Sequence, residues 1–148
     1  MRTSDRDAPR SAYVSLVLCL IGLGISIYLT YEHFTGNKSL SCPDTGKVNC
    51  LKVTTSEWSK IAGVPVAVFG LIFFVGMTVL CVPWLWRFPM LDLLRVVGVI
   101  AGVGSALYLV WVELFKVDAI CLWCTGVHII TLLLLGAVLW TNSEVRTA

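Results

Sequence analysis

Two pairs of cysteines have the spacing of redox-active dithiols. Cys121 and Cys124 stand three positions apart at the start of a long apolar run. Cys42 and Cys50 lie in the long polar loop. Residues three apart in a helix share a face, and the N-terminus of a helix stabilises a thiolate. The close pair is therefore suited to open and close a disulfide, and the loop pair is suited to exchange with it.

Three other uses of these cysteines compete with redox exchange. A zinc site would take four thiolates, but the loop cysteines are spaced more widely than in a zinc knuckle, and half of the ligands would lie at a membrane edge. A haem attachment site needs histidine directly after the second cysteine, where this chain has Thr125. The third alternative, that the cysteines form purely structural disulfides, is compatible with the sequence. Cys19 and Cys81 lie within apolar runs, where a buried thiol is usually a small hydrophobe.

His128 is an ionisable residue inside the apolar run that contains the close pair. It follows Cys124 by four positions, so the two side chains share a helix face. An ionisable residue within a span is a functional candidate, here as a donor to a quinone carbonyl or a proton source for the hydroquinone oxygen. The alternative is a structural hydrogen bond to a neighbouring helix. Asp118, just before the close pair, is interpreted as a helix-capping residue.

The composition places these residues in a membrane protein. Of the 148 residues, 57% are hydrophobic and 14% are charged, whereas soluble domains carry about 25% charged residues. Crossing a hydrocarbon core of about 30 Å takes roughly 20 helical residues. Four blocks without Asp, Glu, Lys or Arg approach this length, and they leave too little polar sequence for a soluble fold: 12–31, 61–86, 96–112 and 119–143.

We therefore predict an all-α integral membrane protein, a bundle of four transmembrane helices in one domain over residues 1–148. The spans are expected at about 12–31, 62–84, 94–114 and 119–141. Arg95 and Glu113 would extend the third span by reaching toward the lipid head groups. Residues 32–61 form the long exported loop, in which 54–61 is expected to form a short interfacial helix. The first block lacks an Ala-x-Ala site, so it is not expected to be a cleaved signal peptide.

The charge distribution orients the bundle. Four spans put both termini on one side, where Arg10, Arg87 and Arg95 lie close to span ends. Positive residues favour the cytoplasmic side, so we expect cytoplasmic termini in the cell inner (cytoplasmic) membrane. The cysteine pairs then face the exported side, where disulfides persist. The net charge of +2 and the lack of a basic cluster do not indicate nucleic-acid binding.

Motifs along nearly the whole chain resemble the vitamin K epoxide reductase family, which includes bacterial thiol-oxidising members. Each motif is weak alone, but their order is specific. In chain order they are the opening helix with 18–23, Ser26 and Tyr28; the loop pair Cys42 and Cys50 with seven residues between; Val53, Ser56 and Trp58; 63–65 with Phe69 and Gly70; and Cys121 with Cys124.

The resemblance implies a role for each cysteine. Cys124 would react with the quinone, and Cys121 would close a disulfide with Cys124. Cys121 would also exchange with the loop through Cys50. Cys42 would be the entry point that meets the external redox partner.

The resemblance also implies a quinone pocket. Ser56 would cap the pocket or fix the CxxC, and Trp58 and Phe69 would form part of its wall. Vertebrate members have tyrosine where this chain has His128, and asparagine where it has Val66. The difference favours a plain quinone over a quinone epoxide as substrate.

The expected activity is that of a membrane thiol:quinone oxidoreductase that supports disulfide bond formation. Electrons would come from an exported thioredoxin-fold protein and leave on menaquinone or ubiquinone, with no metal. The chain ends at Ala148 without a fused thioredoxin-like domain, so the partner is expected to be a separate protein. Two alternatives are a vitamin K epoxide reductase and a non-enzymatic protein stapled by Cys42 and Cys50. The unrelated four-helix disulfide oxidase of Gram-negative bacteria has its two cysteine motifs in the opposite order.

Overall fold

The computed structural model describes residues 8–36 and 40–147 and is mostly helical. Its α-helices are α1 (Arg10–Phe34), α2 (Cys50–Thr54), α3 (Val66–Leu80), α4 (Met90–Val112) and α5 (Leu122–Thr147). Strands β1 (Lys60–Ile61) and β2 (Val64–Pro65) form an antiparallel hairpin before α3. Short 3₁₀ turns cover Glu57–Ser59 and Pro83–Arg87, and a π-helical turn, Glu113–Val117, continues α4.

The helices α1, α3, α4 and α5 pack into one bundle. α1 contacts both α3 and α5, and α4 contacts both α5 and α3. Two glycines allow aromatic rings of α3 to pack directly against the backbone of neighbouring helices. A Cβ atom added at Gly22 would lie 2.2 Å from the Phe74 ring, and one added at Gly102 would lie 2.5 Å from the Phe73 ring. Because no side chain fits at these distances, Gly22 and Gly102 fix where the two rings enter the bundle.

Within residues 8–36 and 40–147, three segments are long and apolar enough to cross a membrane: α1, α4 together with the π-helical turn, and α5. The outer faces of the bundle, α3 included, carry apolar side chains that are at least half exposed, such as Leu20, Ile72, Ile100 and Leu133. Such faces are unfavourable in water, whereas hydrocarbon matches them. The chain is therefore an all-α membrane protein.

Helix α3 is shorter than the second span that the sequence predicts at about 62–84. It has 15 residues, which corresponds to about 22 Å, because non-helical backbone fixes both of its ends. Ala62 and Gly63 have positive φ angles of 52° and 82° in the hairpin turn. Pro83 begins the next 3₁₀ turn and has no N–H for a helical hydrogen bond. This part of the chain is thus a short helix between a hairpin and a turn.

The helix in the loop lies earlier than the predicted stretch 54–61. Helix α2 begins at Cys50, because the Asn49 side chain accepts a hydrogen bond of 2.8 Å from the Lys52 N–H as an N-cap. It ends where the hydroxyls of Thr55 and Ser56 bond back to backbone carbonyls, an alternative to helical pairing. The predicted stretch 54–61 instead contains the 3₁₀ turn Glu57–Ser59 and strand β1.

A buried arginine holds the end of the bundle opposite the CxxC. The sequence predicts that Arg95 reaches toward the head groups, but its side chain is 0% exposed. Its guanidinium donates hydrogen bonds of 2.7 Å to the carbonyl oxygens of Leu80 and Leu85 and to the Asp92 carboxylate. Arg95 therefore connects α4 to the end of α3 and to the turn between them.

Candidate redox site

A short parallel bridge holds the loop cysteines against the CxxC. The Ile120 N–H donates to the Lys47 carbonyl oxygen at 2.7 Å, and the Asn49 N–H donates to the Ile120 carbonyl oxygen at 3.0 Å. Cys50 directly follows the loop strand of this bridge, and Cys121 directly follows the other. Both side chains are buried, with 1% and 0% exposed. The bridge thus holds the segments that carry Cys50 and Cys121 side by side, with both cysteines buried.

Aromatic side chains reinforce this docking next to Cys42. The Trp123 indole N–H, inside the CxxC, donates to the Ser41 carbonyl oxygen at 2.7 Å. The Ser41 N–H donates in turn to the Tyr28 hydroxyl at 3.0 Å, and the Tyr28 and Trp123 rings lie 5.0 Å apart. Trp123 was not selected from the sequence, since its partner Ser41 is 82 positions away.

One of the two cysteine pairs is bonded in this structure. Cys42 and Cys50 form a disulfide with Cα atoms 6.0 Å apart, whereas Cys121 and Cys124 are not joined by a disulfide. The Cys124 N–H donates to the Cys121 sulfur at 3.3 Å, as to an N-cap acceptor in the first turn of a helix. Among the residues that the structure describes, no group of three or more His, Cys, Asp or Glu could hold a metal ion.

Asp118 is the C-cap residue of the π-helical turn, whereas its place just before the close pair predicts a cap at the start of the CxxC helix. It ends the π-helical turn in the left-handed region, with φ of 49°. Its carboxylate pairs with the Lys47 ammonium at 3.4 Å, and both side chains are largely exposed. An exposed pair of this kind contributes little stability, so it supports the bridge only weakly.

A cavity of about 670 Å³ opens beside the CxxC. It lies between α1, α3, α4, α5 and the loop, and its wall is mainly apolar. Cys124 lines this cavity, whereas Cys121 does not. The wall also contains the four residues that the sequence assigns to a quinone pocket, namely Ser56, Trp58, Phe69 and His128. Val66 lines the cavity as well. The volume and the apolar wall are typical of a site for a small apolar ligand.

Two of these wall residues have contacts that fix the loop side of the cavity. The Ser56 hydroxyl donates to the Val53 carbonyl oxygen at 2.8 Å, within the loop itself. The Trp58 ring lies 5.6 Å from the Lys116 ammonium, which is also 5.3 Å from the Trp111 ring. Lys116 thus connects the loop to the end of α4 through cation–π contacts.

His128 provides a polar atom in this apolar wall. Its side chain is 7% exposed, and its Nδ1 atom is buried without a hydrogen-bond partner in the described part of the chain. Leaving a buried polar atom unpaired costs free energy, and such atoms in native structures call for an explanation. A ligand carbonyl or hydroxyl in the cavity would satisfy it.

Glu113 is an acidic residue of the cavity wall, and the sequence prediction for it was wrong. It does not reach the head groups: the side chain is 5% exposed and lines the cavity. Its carboxylate accepts a hydrogen bond of 3.4 Å from the Cys121 N–H. The signal that could have found it is an acid flanked by apolar residues in a membrane protein, which is a functional candidate by default.

The geometry agrees with a comparison against protein families. The family model described as "Vitamin K epoxide reductase family" matches residues 13–139. This match covers α3 and α4 completely, most of α1, about two thirds of α5, the loop with both of its cysteines, and the CxxC. The chain therefore belongs to the vitamin K epoxide reductase family, whose members are oxidoreductases.

Proposed function

We propose that this protein is a membrane thiol:quinone oxidoreductase. The position of the CxxC between the loop disulfide and the cavity carries the proposal: a hydrogen-bonded bridge joins the loop to the CxxC segment, and the second CxxC cysteine opens into an apolar cavity. A dithiol relay needs both contacts, since electrons must enter at one cysteine and leave at the other.

The placement of the cysteines supports a role for each of them in this relay. Reduced Cys42 and Cys50 give two electrons and two protons to the Cys121–Cys124 disulfide: Cys50 attacks Cys121, and Cys42 then closes the loop disulfide. Cys124, which lines the cavity, then faces the acceptor. A quinone in the cavity supplies a two-electron, two-proton acceptor, and Cys121 and Cys124 return to the disulfide.

The protein environment and the partner are parts of the same proposal. Four spans, with α3 as the shortest, would place the termini in the cytoplasm, where Arg10 and Arg87 lie near helix ends. Both cysteine pairs would then face the outside of the inner (cytoplasmic) membrane. There, an exported thioredoxin-fold protein would reduce the loop pair through Cys42. The net product is disulfide-forming capacity outside the cytoplasm.

The test is quinone reduction by the purified protein in detergent. Protein reduced by dithiothreitol is mixed with water-soluble ubiquinone and menaquinone analogues, and hydroquinone formation is followed by absorbance. Protein whose thiols were first alkylated with N-ethylmaleimide is the matched control. Turnover that alkylation removes supports the proposal. Absence of turnover with every quinone, from protein whose CxxC is reducible, would leave a structural disulfide as the better account. Reduction of an epoxide alone would favour the vitamin K epoxide reductase alternative.

His128 is expected to bind the quinone carbonyl. His128→Leu removes a buried ring nitrogen without a hydrogen-bond partner in the described residues from the cavity wall, so KM for the quinone should rise about tenfold, the equivalent of one net hydrogen bond. His128→Gln keeps an amide donor and should recover part of the affinity. Quinone titrations of the two variants and the wild type measure this directly. Equal KM values for His128→Leu and the wild type would contradict the assignment.

A further inference from the structure

Glu113 stands at the junction of the CxxC and the cavity. It is the first residue of the π-helical turn that ends α4, and such turns are frequent at functional sites. The turn directs the carboxylate inward, where it accepts the Cys121 N–H at 3.4 Å. The carboxylate is also within electrostatic range of both CxxC thiols. No other acidic residue lines the cavity in the described ranges.

A structural role does not account for this acid well. Burying a carboxylate costs several kcal/mol unless a cation or several donors compensate it. Over residues 8–36 and 40–147, no cation forms a salt bridge with Glu113, and the long Cys121 N–H contact is its one side-chain hydrogen bond. Glutamine at this position would accept the same N–H without the cost of a buried charge. The carboxyl group must therefore contribute something that an amide does not, namely the exchange of a proton.

We propose that Glu113 carries the proton of the Cys121 thiol. The inference rests on the proposed function. In this cycle Cys124 first adds to the quinone through its sulfur. When Cys121 then attacks the Cys124 sulfur, the bond between that sulfur and the quinone breaks, and its electron pair leaves with the hydroquinone. The Glu113 carboxylate takes the proton that the Cys121 thiol loses and passes it to the hydroquinone. When Cys42 later resolves the Cys50–Cys121 mixed disulfide, the Glu113 carboxyl group, which has taken up a proton from the loop dithiol, protonates the leaving Cys121 thiolate. Two electrons and two protons therefore pass from the loop dithiol to the quinone in each cycle.

Glu113→Gln tests this without any quinone. The experiment starts from protein whose CxxC is in the disulfide form, and the loop disulfide is then reduced rapidly. Acid quenching, alkylation and mass spectrometry then follow the transfer of the disulfide from Cys121 and Cys124 to Cys42 and Cys50 between pH 5 and pH 9. Other titratable side chains that line the cavity are His33 on α1, Tyr108 on α4, and Cys124 and His128 on α5. The pH profile is therefore compared between variants rather than interpreted alone.

We expect Glu113→Gln to slow the transfer about 100-fold, the lower range for loss of a positioned acid or base. The pH profile of its transfer rate should lack the limb that titration of the Glu113 carboxyl group produces in the wild type. Glu113→Asp keeps an acid on a shorter side chain and should retain that limb at an intermediate rate. Glu57→Gln, an exposed acid in the loop, is the matched control and should behave like the wild type. Unfolding temperatures in detergent show whether each variant is folded.

A transfer rate for Glu113→Gln within threefold of the wild type, with an unchanged pH profile, would overturn the inference. A uniform slowing of Glu113→Gln and Glu113→Asp with the wild-type profile would also overturn it, since that result indicates a positioning effect on the CxxC. Failure of the proposed function looks different. In that case the wild type itself would neither transfer the disulfide nor reduce a quinone.

Discussion

Replacing Cys124 by alanine is expected to abolish quinone reduction, at least to the detection limit. Cys124 is the CxxC cysteine that lines the cavity, and without it no disulfide can form between the CxxC cysteines. Cys121 keeps its place beside the loop, because the bridge from Lys47 and Asn49 to Ile120 does not involve Cys124. The variant should therefore be unable to pass electrons to the quinone (electron exit), whereas Cys121 can still react with the loop pair (electron entry).

Electron entry can be trapped as a covalent bond in a second variant. In Cys42→Ala/Cys124→Ala, Cys50 and Cys121 each lack their usual partner. The oxidant diamide takes two electrons and two protons from these thiols and should leave most molecules with a Cys50–Cys121 disulfide. Peptide mapping by mass spectrometry identifies the bond and separates it from any bond between the buried Cys19 and Cys81.

The matched control for this trap is Cys42→Ala/Cys121→Ala, which leaves Cys50 with Cys124. It should cross-link only slowly, because Cys124 lies one helical turn beyond the bridge and opens into the cavity. Equal cross-linking in the two double variants would contradict the entry route through Cys50 and Cys121. Quinone reduction by Cys124→Ala at a rate near that of the wild type would contradict the exit route.

The sequence allowed the redox chemistry to be predicted because cysteine spacing is a local property. The identities of Cys121 and Cys124, and their place at a helix start, can be read within a few positions. The docking of the loop cannot be read in this way. It depends on hydrogen bonds between Asn49 and Ile120 and between Trp123 and Ser41, which join distant parts of the chain and have no sequence signature.

The charged residues near span ends were misinterpreted for a related reason. An apolar helix in a membrane protein has no strong hydrophobic period to distinguish its inward face from its lipid face. Arg95 and Glu113 could therefore either reach the head groups or enter the bundle, and the structure buries both. Likewise, the second apolar block gave no sign that the positive φ angle at Gly63 and the proline at position 83 shorten α3.

The largest effect on stability is expected at Arg95, in Arg95→Met. The guanidinium makes three hydrogen bonds of 2.7 Å and lies 4.2 Å from the centre of the Trp86 ring. Methionine fills similar space but leaves the buried Asp92 carboxylate and two carbonyl oxygens without their donor. Breaking a buried pair in this way costs about 3–5 kcal/mol. The unfolding temperature in detergent should fall clearly below that of the wild type.

Two further variants distinguish this pair from an ordinary surface charge. Arg87→Met removes an exposed arginine from the same end of the bundle and should leave the unfolding temperature nearly unchanged. Asp92→Leu leaves the Arg95 charge buried without a counter-ion, so it should be strongly destabilised. The double variant Asp92→Leu/Arg95→Met contains neither charge and should unfold at a higher temperature than Asp92→Leu alone. If the two single changes at Asp92 and Arg95 were instead simply additive in the double variant, the stabilising element would be the separate contacts of each side chain and not their ion pair.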